Sequence, residues 1–206
     1  MNSTKILAIK FTLLLALITG SATAQTVALR TNLLYDATLS AGLGAEVRLD
    51  STWSAGLNLG LNAWDINKDT NKKWRHVLIE PNVRKYFGDK KVTLSHGEDS
   101  LSYHPRYLEM DLIYSHFNVG NVKFPFGMYK SVRDRRLQGD LLALGGKYGY
   151  SWIMARDWRI EAEAGIAIGY AWFKEYECPQ CGPYLGDGDR IFLLPQLGIN
   201  VVYIIN

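Results

Sequence analysis

The sequence has few of the residues that mark a metal site, a disulfide scaffold or a helical membrane anchor. Only two of its 206 residues are cysteines, and its four histidines are scattered at positions 76, 96, 104 and 116. No zinc motif and no Ser/His/Asp spacing stands out, so we assign no catalytic residue, metal ligand or cofactor. Basic residues outnumber acidic residues only by 23 to 20. This balance argues against a general nucleic-acid binder, which needs a basic stripe.

Long hydrophobic runs are also scarce. Beyond residue 24 the chain has no run of 18 apolar residues, so the sequence predicts no transmembrane helix there. The first 24 residues have the layout of a secretory signal peptide, in which Lys5 and Lys10 precede the apolar stretch 11–20 and the small-x-small cleavage site 22–24. An N-terminal membrane anchor is the alternative, and the apolar stretch is short for one. We therefore expect residues 1–24 to be cleaved and residues 25–206 to form one domain.

Apolar and polar residues alternate along most of the remaining chain. Between residues 39 and 63, two arms of about ten residues flank the polar turn 50–52. A period of two over this length indicates extended strands, and ten residues suffice for a tilted strand to cross a bilayer. Pro81 predicts a bulge or kink, because proline lacks the N–H that a strand ladder uses. The pattern predicts eight strands, at about residues 26–35, 39–49, 53–63, 75–87, 106–119, 139–154, 158–173 and 190–205.

The connections between these strands differ in length. Those after the second and sixth strands are tight turns, whereas most of the others are longer and polar. Short turns at one end and long loops at the other are typical of bacterial outer-membrane barrels, whose short turns face the periplasm. We therefore expect an all-β fold, an eight-stranded antiparallel up-and-down transmembrane β-barrel of a Gram-negative outer membrane. Its loops 65–74, 120–138 and 174–189 would lie outside the cell. Segment 88–105 is predicted to form a small hairpin. It is an exception to this pattern of connection lengths, because it is a long connection at the end where the turns are short.

A soluble eight-stranded barrel of the lipocalin kind is the strongest structural alternative. Two features favour the membrane barrel. The polar face of the strands carries many glycines, which suit a crowded and curved inner wall. Aromatic residues cluster at both ends of the apolar face, as girdles do at the two membrane interfaces. The predicted girdle comprises Trp53, Trp152, Trp158 and Tyr203 at the short-turn end and Tyr35, Tyr170 and Trp172 at the loop end.

Charged residues of both signs lie on the predicted inward face. Side chains fill the interior of so narrow a barrel, and buried charges must pair, so we expect a closed, ion-paired lumen. The alternative is a proton or ion path, or paired carboxylates for acid–base chemistry. His76, near Glu80, is interpreted as a satisfied interior histidine rather than a catalytic base. The predicted lumenal network comprises Arg30, Glu46, Arg48, Glu80, Arg84, Glu109, Asp111, Lys147, Arg159, Glu161 and Glu163.

Cys178 and Cys181 form a single Cys-x-x-Cys motif in a predicted outer loop. Two ligands do not complete a zinc site, and the thioredoxin motif needs a βαβ context. The motif therefore favours a loop disulfide formed in an oxidising compartment. In another predicted loop, the basic cluster 133–136 is interpreted as a solvated loop or as a contact to lipopolysaccharide phosphates.

Several blocks of the sequence resemble a known family. They are the stretch 30–37 (RTNLLYDA), residues 73–76 (KWRH), residues 81–84 (PNVR), the pair 149–150 (GY) and the Cys-x-x-Cys-Gly motif at 178–182. In these blocks the chain is similar to short, uncharacterised outer-membrane β-barrels, a domain of unknown function that is often encoded beside fimbrillin-type adhesin genes. More distantly, it resembles the small OmpX- and OmpA-type barrels. The resemblance implies a fold and a location and supplies no mechanism.

These features together predict a non-enzymatic outer-membrane β-barrel that presents extracellular loops and is structural or accessory to surface adhesins. Its expected partners are outer-membrane lipid and, as further candidates, surface adhesin or fimbrial proteins, with no nucleic-acid partner. Two alternatives stay open at this point. One is a barrel enzyme acting on envelope lipid or peptide, and the other is a soluble periplasmic lipid-binding barrel.

Overall fold

Antiparallel strands account for most of the described chain. The computed structural model describes residues 26–38, 40–67, 72–93, 100–122, 131–177 and 182–205. In this part of the chain no helix is both long and apolar enough to cross a membrane. The elements in chain order are β1 (Val27–Asn32), α1 (Leu33–Ala37), β2 (Ala41–Arg48), β3 (Trp53–Asn62), β4 (Asp65–Asn67), β5 (Lys72–Phe87), β6 (Lys90–Thr93), β7 (Ser100–Tyr103), β8 (Arg106–Gly120), α2 (Ser131–Asp134), β9 (Arg135–Ile153), β10 (Trp158–Glu177) and β11 (Tyr184–Ile205).

Eight of these strands form a closed antiparallel ring. From β1 the order runs through β2, β3, β5, β8, β9 and β10 to β11. β11 then pairs back onto β1, from Val27↔Ile205 to Asn32↔Asn200, and this ladder closes the ring. The all-β, antiparallel and eight-stranded parts of the prediction are thereby confirmed. Outside the ring, β4 pairs with the start of β5, and β6 and β7 form the small hairpin expected within segment 88–105.

Strict alternation sorts the side chains of the ring to two faces. β8 is alternately exposed and buried from Arg106 to His116, and β9 follows the same rule through its second half. Most of the large side chains that face outward are apolar, whereas most of the charged side chains near the short-turn end are buried inside the ring. Glycine is required where the inner wall is crowded. A Cβ at Gly56 would lie 2.8 Å from both Arg30 Nη2 and Asn82 Oδ1.

The first strand ends earlier than the alternation predicts. It was expected to reach residue 35, but a helical turn, α1, begins at Leu33. Asn32 causes the change, because its side-chain oxygen accepts hydrogen bonds from the backbone N–H of Leu34 at 3.0 Å and of Tyr35 at 3.4 Å, which is a helix N-cap. β1 therefore pairs with β11 only as far as Asn200. Beyond that point, towards the loop end, α1 contacts both β11 and β2, and no backbone ladder joins these two strands in the described residues.

At the loop end, three strands run further than expected. β9 begins at Arg135, β10 ends at Glu177 and β11 begins at Tyr184. The loops predicted at 120–138 and 174–189 are therefore wrong in their bounds, and α2 lies within the first of them. The cross-strand hydrogen bonds explain the difference, since the β10–β11 ladder continues to the pair Tyr176↔Tyr184 and backbone pairing needs no hydrophobic face.

The β2–β3 turn is held by one carboxylate. Asp50 Oδ1 accepts hydrogen bonds from the backbone N–H of Thr52 at 2.6 Å and of Trp53 at 2.8 Å. These two donors hold the pKa of the Asp50 carboxyl below its ordinary value.

The bulge predicted at Pro81 is wrong, because the register of β5 is the same on both sides of this residue. Only the pairing with β8 is interrupted, at residues 80–81, as the missing N–H explains.

Candidate functional site

Charged side chains meet inside the ring near the end that carries the short turns. Arg84 lies at the centre of this charged cluster and is only 1% exposed. Its Nη1 lies 2.8 Å from Glu161 Oε2 and 3.3 Å from Glu46 Oε2. Its Nη2 lies 3.2 Å from Glu163 Oε2, and its Nε donates to Glu109. The planar guanidinium donates in several directions at once, so one arginine bridges carboxylates from three other strands.

Two buried tyrosines support this cluster. The Arg84 guanidinium lies 4.2 Å from the centre of the Tyr107 ring, a cation–π geometry. The Tyr107 hydroxyl donates to Glu163 at 2.8 Å, and the Tyr86 hydroxyl donates to Glu46 at 2.6 Å. The carboxylates thus receive hydrogen bonds from neutral donors as well as from arginine, as buried charged groups require.

Lys147 forms the second centre of the charged cluster. Its Nζ lies 2.7 Å from Glu80 Oε1, 2.8 Å from Glu109 Oε1 and 3.5 Å from Asp111 Oδ2. Oxygens of these three acids lie within 4.8 Å of one another, a spacing that suits a metal ion. The ammonium of Lys147 already supplies a positive charge among these oxygens, so the geometry is that of an internal ion pair.

The remaining three arginines of the predicted network differ in their contacts. Arg30 joins the cluster, with Nη2 3.4 Å from Glu46 and Nη1 3.6 Å from Glu109. Arg48 and Arg159 instead lie over tyrosine rings, and neither forms an ion pair with a carboxylate in the described part of the chain. Together with Arg156 they line a cavity of about 270 Å³ at the short-turn end. The structure therefore brings nine of the eleven predicted residues into direct ionic contact.

The loop-end half of the interior is apolar, and the sequence interpretation missed this. A layer of Ile113, Ala143 and Ala167 lies above the charged cluster. Above that layer, a pocket of about 300 Å³ is lined mainly by aliphatic and aromatic side chains. The signal was present in the alternation, because inward positions near the loop end are apolar. They include Trp74, Phe117, Val119, Leu137, Leu141, Ala171, Phe173 and Phe192.

A further cavity adjoins this pocket and lies beside α1, between β2 and β11. It measures about 320 Å³ and shares Tyr35, Thr38, Leu78, Pro195 and Gln196 with the apolar pocket. The same cavity is also lined by Leu43 and Leu197, whose side chains are exposed on the outside of the ring. The early end of β1 thus leaves a side cavity beside α1, with apolar groups at its outer end and Arg30, Glu80, Lys147 and Glu163 of the charged cluster in its inner wall.

A comparison with known protein families finds a match over most of the chain. The family described as "Protein of unknown function (DUF3575)" matches residues 9–205. The chain belongs to this family. No curated protein and no solved structure matches it. The part of the resemblance that named an uncharacterised family is therefore confirmed.

Most of the predicted girdle residues lie on the outside of the ring. Trp158 packs on Tyr203 with ring centres 4.9 Å apart, at the short-turn end. Tyr170 and Trp172 are 6.0 Å apart at the loop end. Trp53 and Trp152 are also exposed on the outer face. Tyr35 lies in α1 and not on a strand as predicted; it is 37% exposed and also lines the apolar pocket and the side cavity.

The histidines do not assemble a catalytic site with a serine in the described residues. His76 packs edge-on against Trp74, with ring centres 5.8 Å apart, and lines the apolar pocket. His116 Nδ1 lies 2.9 Å from Asp140 on the outer face, and His104 Nδ1 lies 2.8 Å from the Gly88 carbonyl oxygen. The signal peptide predicted at 1–24 and the disulfide candidates Cys178 and Cys181 lie outside the described residues.

Proposed function

We propose that the protein is an eight-stranded transmembrane β-barrel of the outer membrane, made after cleavage of a signal peptide. It acts without catalysis, as a closed scaffold that presents its loops outside the cell and is structural or accessory to surface adhesins. The observation that carries the proposal is the inverted distribution of polarity. Large apolar side chains are exposed all around the ring, and charged side chains are buried within it.

The height of the apolar band supports a membrane location. On β10, Trp158 and Tyr170 mark the two ends of an outward row made of Ile160, Ala162, Ala164, Ile166 and Ile168. Twelve residue steps at about 3.3 Å each extend about 40 Å along the strand. A tilt of 35–45° reduces this to a height of roughly 30 Å, which matches an apolar band of about 25 Å with its aromatic girdles. A soluble barrel of this size would place these side chains in its core and not on its surface.

The charged cluster supports a closed scaffold rather than a pore. Selective pores use rings of charges of a single sign, whereas Arg84 and Lys147 here pair with carboxylates from several strands around the ring. An ion crossing the interior would have to displace these pairs. We therefore expect no steady conductance from the purified protein in a planar bilayer.

Cell fractionation and heat-dependent mobility test the proposal. The full chain is expressed in a Gram-negative host, the membranes are separated, and boiled and unboiled samples are compared on a gel. We expect the protein in the outer-membrane fraction, with a folded band that shifts on boiling. Recovery in the soluble periplasmic fraction, with no shift on boiling, would support the soluble lipid-binding barrel instead.

Co-purification of surface adhesins with the intact protein then tests the accessory role.

A further inference from the structure

We propose that the apolar pocket at the loop end binds a fatty acid, with its hydrocarbon chain inside the pocket and its carboxylate at Arg190. This ligand site goes beyond the scaffold role proposed above. The inference rests on the interior of the ring, so it does not depend on which compartment holds the protein.

The size and lining of the pocket fit one hydrocarbon chain. Its volume of about 300 Å³ lies at the lower end of the range of roughly 300–1,000 Å³ for small-molecule sites. The buried part of its wall includes Val119, Leu137 and Phe173, with Phe117 and Phe192 beside them. Each methylene group that leaves water for such a wall is stabilised. A pocket of this size favours a single chain over the two chains of a phospholipid.

Arg190 provides charge complementarity for the carboxylate. It stands opposite Ala171 in the β10–β11 register, on the inward face, and it lines the pocket at its rim. No carboxylate in the described part of the chain forms an ion pair with it. Asp189 next to it lies on the other face, where it accepts a hydrogen bond from the Tyr170 hydroxyl at 2.9 Å. Arg190 is therefore available to donate a bidentate pair of hydrogen bonds to a carboxylate.

The side cavity beside α1, between β2 and β11, gives a fatty acid a way in. The side cavity joins the pocket through Tyr35, Leu78 and Pro195 and reaches Leu43 and Leu197 on the outer face. A chain can therefore enter beside α1 while its carboxylate stays at the level of the loop-end rim. Gln196 and Ser115 are among the polar side chains that line the pocket.

Photo-crosslinking with mapping of the labelled peptides tests the site directly. The probe is dodecanoic acid with a diazirine at the chain end, added to the folded full chain in nanodiscs at mildly alkaline pH. We expect saturable labelling of inward residues around Ala143, Ala167 and Leu194, and unlabelled dodecanoate should compete with the probe. Dodecanol, which has the same chain and no charge, should compete less well, and an anionic phospholipid should not compete. Competition by the phospholipid would mean that a lipid headgroup is the true source of the anion and would overturn the assignment.

Matched variants separate the pocket from the outer surface. Ala171→Phe fills the pocket, whereas Ala164→Phe adds the same ring outside the same strand. We expect the first to reduce saturable labelling by more than about tenfold and the second to leave it unchanged. Arg190→Gln should weaken dodecanoate binding by about three- to tenfold, with no change for the exposed control Arg133→Gln. Folding of each variant is checked by its heat-dependent mobility. Labelling confined to outward residues of the unmodified protein would refute the proposal, whatever the variants do.

Discussion

Replacing Arg84 by alanine is the sharpest test of how the interior is stabilised. The guanidinium contacts Glu46, Glu109, Glu161 and Glu163 and is almost completely buried. Breaking a buried ion pair costs about 3–5 kcal/mol, because the partner charge is left uncompensated. For a chain of this length each kcal/mol lowers the unfolding temperature by about 2–4 °C. Arg84→Ala should therefore lower that temperature by about 6–20 °C, with the smaller value expected where water enters to solvate the carboxylates.

The assay is the temperature at which the folded band is lost on a gel, measured in one detergent and at one heating rate. A fixed rate is needed because such unfolding is often irreversible. Arg133→Ala, which removes an exposed arginine from α2, should stay within about 0.5 kcal/mol of the unmodified protein. Arg84→Lys should be intermediate, since it keeps the charge and loses the planar fork. If Arg84→Ala unfolds at the same temperature as Arg133→Ala, the charged cluster does not stabilise the fold and the reasoning is wrong.

Four shorter predictions follow from other contacts. Gly165→Ala should destabilise the ring, because a Cβ there would overlap the backbone of β9. Gly42→Ala should be tolerated, because the atom nearest to its Cβ would be 3.8 Å away. The thermal unfolding temperatures of the two variants test this difference. Lys147→Met should also lower the unfolding temperature, by leaving three acids without their ammonium. Asp50→Asn should be less stable than the unmodified protein at neutral pH. The backbone donors lower the folded-state pKa of Asp50. Its carboxylate therefore stabilises the fold above the unfolded-state pKa, and this stabilisation is lost as the pH falls through the folded-state pKa. The unfolding temperatures of Asp50→Asn and the unmodified protein should converge in acid. Planar-bilayer recordings of the unmodified protein should show no steady conductance, and a stable open-channel current would refute the closed lumen.

The strands and their faces could be predicted because alternation is a local property. A period of two is visible within ten residues and already separates Leu142 and Leu144 from Ala143 and Lys147. The end of β1 was missed for an equally local reason. Asn32 is compatible with a strand, and its action as a helix cap depends on the backbone turning there. The extra strand length at the loop end is fixed by pairing between strands and not by hydrophobicity.

The partners inside the ring could not be predicted from the sequence. Arg84 and Glu161 are 77 residues apart, and Lys147 and Glu80 are 67 residues apart. Which charges meet depends on the order and register of all eight strands. A shift of one residue in one strand would move every side chain on it to the other face. The set of inward charged residues was therefore sufficient to predict ion pairing. It could not show that Arg48 and Arg159 lie at the cavity near the short turns and outside the ion-paired cluster.

The two halves of the interior together determine how a ligand can move. A fatty acid that enters the apolar pocket meets the layer of Ile113, Ala143 and Ala167, and below it the charged cluster around Lys147 and Arg84. To pass further, its chain would have to separate the ion pairs of Lys147 and Arg84, which is strongly unfavourable. An ion coming from the short-turn end meets the same pairs and then an apolar layer that cannot solvate it. A ligand can therefore reach the apolar pocket from the loop end or through the side cavity beside α1, whereas the cavity at the short-turn end leads to the charged cluster. A fatty acid must leave by one of the routes through which it can enter, so the protein would hold or present such a ligand and not conduct it from one end of the ring to the other.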